Sequence, residues 1–303
     1  MAQTTTLLQI AETDMLGERK AKRLQRRRRR SQGDRKGIVL RTIVAIVVCV
    51  IVVFPLYWMV VMAFSPRGEV FSEELRFWPS EITFDNFDRI FRRFNVGLWF
   101  QNSVVIGLFV TALTVFVNLL AGYAFARLHF RGRNTLFLLT LATMMIPVQA
   151  IMVAQFKLVS GLGIYGTYWG VILPGAAAAF GIFLARQFFI GIPEEIIEAA
   201  RIDGAGQMRI FLQVVLPLCK PLIAVLTLLT LMSSWNDFAW PLIALKDNEL
   251  FTLPIGLLYL KNQTSPDYES IMALALISVL PMVILFLVFQ RYFVQGFARS
   301  GIK

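Results

Sequence analysis

The chain has little of what water-soluble proteins and enzymes need. Of its 303 residues, 16% are charged and 57% are hydrophobic, whereas a soluble globular domain carries roughly 25% charged residues. His129 is the only histidine, which excludes His-rich metal motifs such as H-E-x-x-H. No P-loop pattern and no G-x-S-x-G element occurs. We therefore expect a membrane protein that is not an enzyme and holds no cofactor or metal of its own.

Long apolar runs account for most of the sequence. Six of them can cross the hydrocarbon core of a bilayer, which takes about 20 helical residues. Transmembrane strands would instead alternate over about 10 residues, and no such pattern occurs. The sequence therefore predicts an all-α polytopic membrane protein with six transmembrane helices, near residues 38–64, 102–126, 136–156, 165–189, 222–245 and 271–293.

The positive charges are unevenly distributed along the chain. If the N-terminus is cytoplasmic and the six helices alternate, the cytoplasmic segments hold most of the 30 Lys and Arg residues. Both termini are then predicted to be cytoplasmic, and residues 192–221 face the cytoplasm. We divide the chain into a disordered, basic tail, residues 1–36, and a transmembrane domain, residues 37–303. The tail is expected to touch anionic lipid headgroups rather than nucleic acid.

Few polar residues lie inside the runs. Asp237 is the only acid there, whereas secondary transporters usually carry several intramembrane ionisable groups. This scarcity indicates that the energy for transport comes from elsewhere. The uncharged residues Asn118, Gln149, Ser233 and Asn236 are candidates for the substrate path, and hydrogen bonding between helices is the alternative role.

Three prolines lie near the middle of predicted helices: Pro147, Pro174 and Pro281. Each removes one helix hydrogen bond and is expected to kink its helix. Kinked helices around a central path suit alternating access. The alternative is that proline is simply more frequent in transmembrane helices than in soluble ones.

The stretch IPEEIIEAARIDGAGQMRIFLQVVLPLCKP, residues 192–221, is unusually polar for this chain. Pro193 suits the first position of a helix, and the two following glutamates complement its dipole. Asp203–Gly204 predicts a turn with Gly204 at positive φ. A second helix follows and is expected to end at Leu216 and Pro217. The stretch therefore predicts a helix–turn–helix at the membrane surface, either an ordinary amphipathic hairpin or a handle for a partner.

The same stretch resembles the EAA loop of ATP-binding-cassette importer permeases. That pattern is Glu-Ala-Ala, three residues, Gly, nine residues, Ile, one residue and Leu-Pro. Val214 in place of Ile is the only departure here. The flanking WNDFAWPL, TLPIGL and FQRYFVQGFARSGIK are similar to the carbohydrate-type permeases, as in the smaller permease subunit of the maltose transporter family.

The resemblance implies the type I importer permease fold, with cytoplasmic EAA coupling helices. It implies a second homologous permease, two ATP-binding subunits that hold ATP and Mg²⁺, and an extracytoplasmic substrate-binding protein as partners. It also implies the cytoplasmic membrane of a bacterium or archaeon. The residues implied to couple to the ATPase are Glu198, Ala199, Ala200, Asp203, Gly204, Leu216 and Pro217.

The expected function is therefore that of a permease subunit of an ATP-driven, binding-protein-dependent importer of sugars or oligosaccharides. Glycerol phosphate or a polyol is the alternative cargo. A secondary transporter of a small polar solute, working alone, is the alternative function. That protein would need neither an ATPase nor Glu198.

Overall fold

A computed structural model describes residues 37–69 and 76–300. Regular secondary structure in these residues is helical throughout, which confirms the all-α prediction. The helices are α1 (Gly37–Ala63), α2 (Asp85–Arg93), α3 (Val96–Arg127), α4 (Arg133–Ala142), α5 (Val148–Gly161), α6 (Tyr168–Ile172), α7 (Ala179–Ile190), α8 (Glu194–Ile202), α9 (Gln207–Leu218), α10 (Lys220–Trp235), α11 (Ala239–Ala244), α12 (Leu253–Lys261) and α13 (Tyr268–Ser300).

The described residues fall into two compact units, which divide between Trp58 and Met59. The predicted basic tail, residues 1–36, lies outside the described residues. Helix α1 has 27 residues, and at 1.5 Å per residue it is about 40 Å long, enough to cross a bilayer. Helices α3 and α13 are also long and apolar enough to cross a bilayer. These three helices match the first, second and sixth predicted runs.

The third and fourth runs are broken rather than continuous. Helix α4, with its 3₁₀ extension Thr143–Met145, is bent by 106° relative to α5 on the far side of Pro147. The fourth run forms α6 and α7, separated by residues 173–178, which include Pro174. Proline lacks an N–H and disfavours helical geometry in the residue before it. The chain therefore bends at Pro147 and is interrupted at Pro174 as expected for these prolines, but the prediction of one continuous helix was wrong for both runs.

The fifth run is also interrupted, at residues 236–238 between α10 and α11. The Asn236 amide donates to the Met232 carbonyl at 2.8 Å, and the Asp237 carboxylate accepts from the Trp240 N–H at 3.4 Å. Such side chains compete with the helix for backbone hydrogen bonds, so one helix over 222–245 was a wrong prediction. Helix α13, in contrast, continues through Pro281 without interruption.

Helix α3 is the central element of the second unit, where it packs against α7 and α10. Its contact with α7 depends on Gly122, where a Cβ atom would lie 2.5 Å from the Cβ of Ala185 and 3.0 Å from the backbone nitrogen of Arg186. Small residues at such crossings let helix backbones approach closely in membranes. We call the Arg127 end of α3 the hairpin end and the Val96 end the loop end.

Polar side chains fix the loop end of α3. The buried Asn102 amide donates to the carbonyls of Glu249 and Phe251 at 2.7 and 2.9 Å, and accepts from the Tyr168 hydroxyl at 2.6 Å. The Ser103 hydroxyl accepts from the Leu253 N–H at 2.8 Å. The connection between α11 and α12 is thereby held against α3, and α12 buries its apolar side chains there.

Candidate functional site

The predicted helix–turn–helix is present as α8 and α9, which we call the coupling hairpin (Glu194–Leu218) after the role that the resemblance implies. Pro193 precedes the first helical residue of α8 as its N-cap. Gly204 adopts φ 78°, so the turn has the predicted left-handed residue. The turn is closed by the Gly204 N–H donating to the Arg201 carbonyl and the Ala205 N–H donating to the Ala200 carbonyl, both at 3.0 Å.

The second arm of the coupling hairpin ends one residue after the predicted end, but part of it is not α-helical. Leu216 and Pro217 lie in the last turn of α9, which ends at Leu218, and Ile210–Val215 is a π-helix. Pro217 cannot donate a hydrogen bond, and its ring would collide with the carbonyl four residues earlier in an α-helix. A wider π turn before the proline removes that conflict, which explains why α9 continues past it.

The motif residues fall into an exposed set and a packed set. Glu198, Ala199, Asp203, Gly204 and Pro217 are exposed on the coupling hairpin. Ala200 and Leu216 are partly buried against the hydrophobic cluster beneath it. A larger side chain at position 200 would therefore meet the chain's own core, whereas Ala199 leaves an exposed surface open to close approach.

Sequence reasoning missed the exposed apolar residues on the coupling hairpin, of which Ile202, Met208 and Leu212 are the most exposed. The side chains of Ile202, Met208 and Leu212 are 86%, 63% and 50% exposed. A usable signal was the spacing of Ile197 and Ile202, which places them about 140° apart around α8. Because Ile197 is fully buried, Ile202 must point away from the core.

A chamber of about 500 Å³ lies between α3, α5, α7 and α10. Its walls are mostly apolar, and Pro174 at the break before α7 contributes to them. The polar residues lining it are Thr114, Asn118, Gln155, Thr230, Ser233, Ser234 and Asp237. The described lining residues include no Lys, Arg or His, and Asp237 is the single acid among them. Within the described part of the chain, no cluster of His, Cys, Asp or Glu could hold a metal ion.

The four predicted path residues separate into two pairs. Asn118 and Ser233 line the chamber, whereas Gln149 and Asn236 are exposed and do not line it. Asn118 is fully buried, and its Oδ1 atom accepts from the Ala178 N–H at 3.2 Å. Its Nδ2 donor has no hydrogen-bond partner among the described residues. A buried amide with an unused donor beside a chamber is unusual, and a water molecule or a ligand hydroxyl would satisfy it if the side chain turned toward the chamber.

A second, smaller pocket of about 220 Å³ lies at the loop end. Arg67, Arg89 and Arg93 line it, and the guanidinium of Arg89 pairs with Asp267 at 2.6 Å. Burial alone would raise the pKa of Asp267, but the Ser270 N–H and the Arg89 guanidinium outweigh burial and hold this pKa below its usual value. The carboxylate is therefore charged at neutral pH and balances part of the arginine charge.

Comparisons with known proteins agree with this architecture. Residues 118–299 match the family model described as binding-protein-dependent transport system inner membrane component. A solved bacterial ABC transporter involved in the import of the acidic polysaccharide alginate has a chain with the same fold. That chain matches with a TM-score of 0.79 and 24% identity over 86% of this chain and 98% of its own length.

Curated relatives carry different cargo names. The arabinooligosaccharides transport system permease protein AraQ of Halalkalibacterium halodurans is 41% identical, over 84% of this chain and 92% of the relative. The lactose transport system permease protein LacG of Rhizobium radiobacter is 34% identical, over 82% of this chain and 90% of the relative. The sn-glycerol-3-phosphate transport system permease protein UgpE of Yersinia pestis is 32% identical, over 88% of this chain and 98% of the relative.

Proposed function

The chain belongs to the family of binding-protein-dependent transport system inner membrane components, and we propose that its cargo is a neutral oligosaccharide. It is a non-catalytic permease subunit of an ABC importer. A second permease would complete the translocation path in the cytoplasmic membrane of a bacterium or archaeon. Two ATP-binding subunits would hold ATP and Mg²⁺, and an extracytoplasmic binding protein would deliver the cargo.

The proposal about cargo rests on the residues that line the chamber. Neutral hydrogen-bonding groups such as Asn118 and Ser233 suit sugar hydroxyls, and the apolar wall suits the faces of sugar rings. A phosphate ester would instead call for arginine or lysine; the N-terminus of α7, which borders the chamber at Ala178, is not sufficient by itself to balance that charge. The absence of cations from the described lining residues supports a neutral sugar over glycerol phosphate, although relatives are named for both.

Uptake by cells tests the cargo class directly. Deleting the gene is expected to abolish uptake of a labelled neutral oligosaccharide, such as arabinotriose or lactose, and to leave uptake of sn-glycerol 3-phosphate unchanged. Restoring the gene should restore the first uptake. Dependence of glycerol-phosphate uptake on this gene would contradict the proposal.

Alanine at Asn118 or Ser233 is expected to raise the half-saturating cargo concentration by roughly fivefold, because each loses a hydrogen bond worth about 1 kcal/mol. Gln149→Ala and Asn236→Ala are matched controls, since both residues are exposed outside the chamber. They should transport like the wild type. Equal effects at all four positions, measured with binding protein in excess, would mean that the chamber is not part of the translocation path.

The coupling hairpin supports the proposed contact with the ATPase. Ile202 offers an exposed apolar side chain beside the charged Glu198 and Asp203. An apolar contact centre with a polar rim is usual for protein interfaces. Ala199 lets a partner surface approach the backbone of α8 closely.

The location of the termini is a further part of the proposal. The excess of Lys and Arg in alternate loops predicts that Lys303 is cytoplasmic. Green fluorescent protein fused after Lys303 is expected to fluoresce, and alkaline phosphatase at the same site should be inactive. An active phosphatase with a dark fluorescent fusion would reverse the topology and place the coupling hairpin outside.

A further inference from the structure

One arginine ties the hairpin end of α3 to the coupling hairpin. The side chain of Arg127, the last residue of α3, is only 11% exposed. Its Nε and Nη2 atoms donate to the Phe189 carbonyl at 3.1 and 2.7 Å. Nη2 also donates to the Ile192 carbonyl, and Nη1 pairs with the carboxylate of Glu194. A single guanidinium thus joins the end of α3, the end of α7 and the first residue of α8.

These contacts require an arginine rather than a lysine. The last carbonyls of a helix lack intrahelical donors, and the C-terminal end of α7 carries partial negative charge. A planar guanidinium can serve several acceptors at once in a fixed geometry, whereas a lysine ammonium cannot reproduce that fork. Only residues 191–193 connect α7 to α8. Without Arg127 the carbonyls on this short link would lose their shared donor, and the angle between α7 and α8 would depend on the apolar packing of Ile192 and Ile197.

A second contact on α3 holds the other arm of the coupling hairpin. Tyr123, one turn before Arg127, packs its ring 4.9 Å from that of Phe211 and 5.7 Å from that of Phe189. Its hydroxyl lies 3.4 Å from the side-chain oxygen of Gln207, at the start of α9. The hairpin end of α3 therefore contacts both arms of the coupling hairpin.

The same helix forms a wall of the chamber. Asn118 and Thr114 line it, and Asn118 lies nine residues before Arg127, which is about 14 Å along a continuous helix. A displacement of the coupling hairpin would thus reach the chamber through α3 as a rigid rod. We propose that Arg127 is the positioning residue that transmits movement of the coupling hairpin to the chamber. This inference rests on the proposed contact between the coupling hairpin and the ATPase.

The test measures cargo imported per ATP hydrolysed by the complete complex in liposomes, with a labelled neutral oligosaccharide and saturating binding protein. Arg127→Gln is expected to retain the co-purifying ATPase and its hydrolysis, while cargo per ATP falls at least about fivefold. Arg127→Lys should recover part of that ratio. Arg131→Gln is the matched control, because Arg131 is exposed on the loop that follows α3, and it should match the wild type.

Each outcome separates the inference from the proposed function. An unchanged ratio in a folded Arg127→Gln complex would overturn the inference, as would a parallel loss of hydrolysis and import at constant ratio. If Arg127→Gln does not assemble, Glu194→Ala removes the ion pair with Arg127, along with a 3.9 Å contact to Arg201, but leaves the bonds of Arg127 to the Phe189 and Ile192 carbonyls, and it should lower the ratio in the same direction. A normal ratio in Glu194→Ala would then also count against the inference. A wild-type chain that transports without an ATPase would instead refute the proposed function.

Discussion

Gly204→Pro is expected to lower cargo uptake and binding-protein-stimulated ATP hydrolysis together, by about tenfold or more, while the chain still inserts into the membrane. Gly204 has φ 78°, which proline cannot adopt, and its N–H closes the turn on the Arg201 carbonyl. Proline also disfavours the near-helical geometry of Asp203, whose φ and ψ are −71° and 4°. The penalties amount to about 3 kcal/mol or more, enough to change the angle between α8 and α9.

Gly206→Ala is the control for this prediction. Gly206 lies in the same turn with φ −72°, and a Cβ atom there would meet nothing within 4 Å. Alanine at this position should therefore leave uptake, hydrolysis and the amount of co-purifying ATPase unchanged. Wild-type values in Gly204→Pro would mean that the coupling hairpin does not drive transport.

The different exposure of Ala199 and Ala200 decides which substitution better tests docking of the ATPase. Ala200→Trp would disturb the chain's own core as well as any partner surface, because Ala200 is partly buried against it. Ala199→Trp is the cleaner probe, since Ala199 is exposed on the same helix. It should reduce the co-purifying ATPase without changing the stability of the isolated permease.

Local patterns in the sequence were sufficient to predict the coupling hairpin. Pro193, the glutamates that follow it and Asp203–Gly204 determine a helix start and a turn through neighbouring residues alone. The apolar runs likewise predicted α1, α3 and α13, which are long and apolar enough to cross a membrane. The breaks within the other three runs required knowing whether a proline or an Asn-Asp pair ends a helix or is tolerated in it, as Pro281 is in α13.

The chamber and the Arg127 contacts could not be predicted from the sequence because they depend on packing. Asn118 and Gln149 look equivalent as polar residues in apolar runs, yet only the fold turns Asn118 toward the chamber. In the sequence alone, Arg127 cannot be distinguished from the other positive residues near a membrane surface. Its partners lie 62 to 67 residues further along the chain, where no local pattern connects them.

Gly122→Leu is expected to destabilise the permease by about 3 kcal/mol, since overpacking at a tight helix crossing forces the helices apart. Even a Cβ atom would lie 2.5 Å from the Cβ of Ala185 and within 3.1 Å of backbone atoms, which no rotamer change can move. One turn along the same crossing, a Cβ on Gly181 would lie 2.0 Å from the Asn118 amide nitrogen. Leucine at 122 should therefore also displace Asn118 from the chamber wall.

Thermal unfolding of the purified complex measures this effect, and Gly97→Leu is its control. Gly97 belongs to the first turn of the same helix, and a Cβ atom there would meet nothing within 4 Å. The same substitution should leave the unfolding temperature unchanged or raise it slightly, because leucine favours helix over glycine by several tenths of a kcal/mol. If both variants unfold at the wild-type temperature, α3 and α7 are not in close contact.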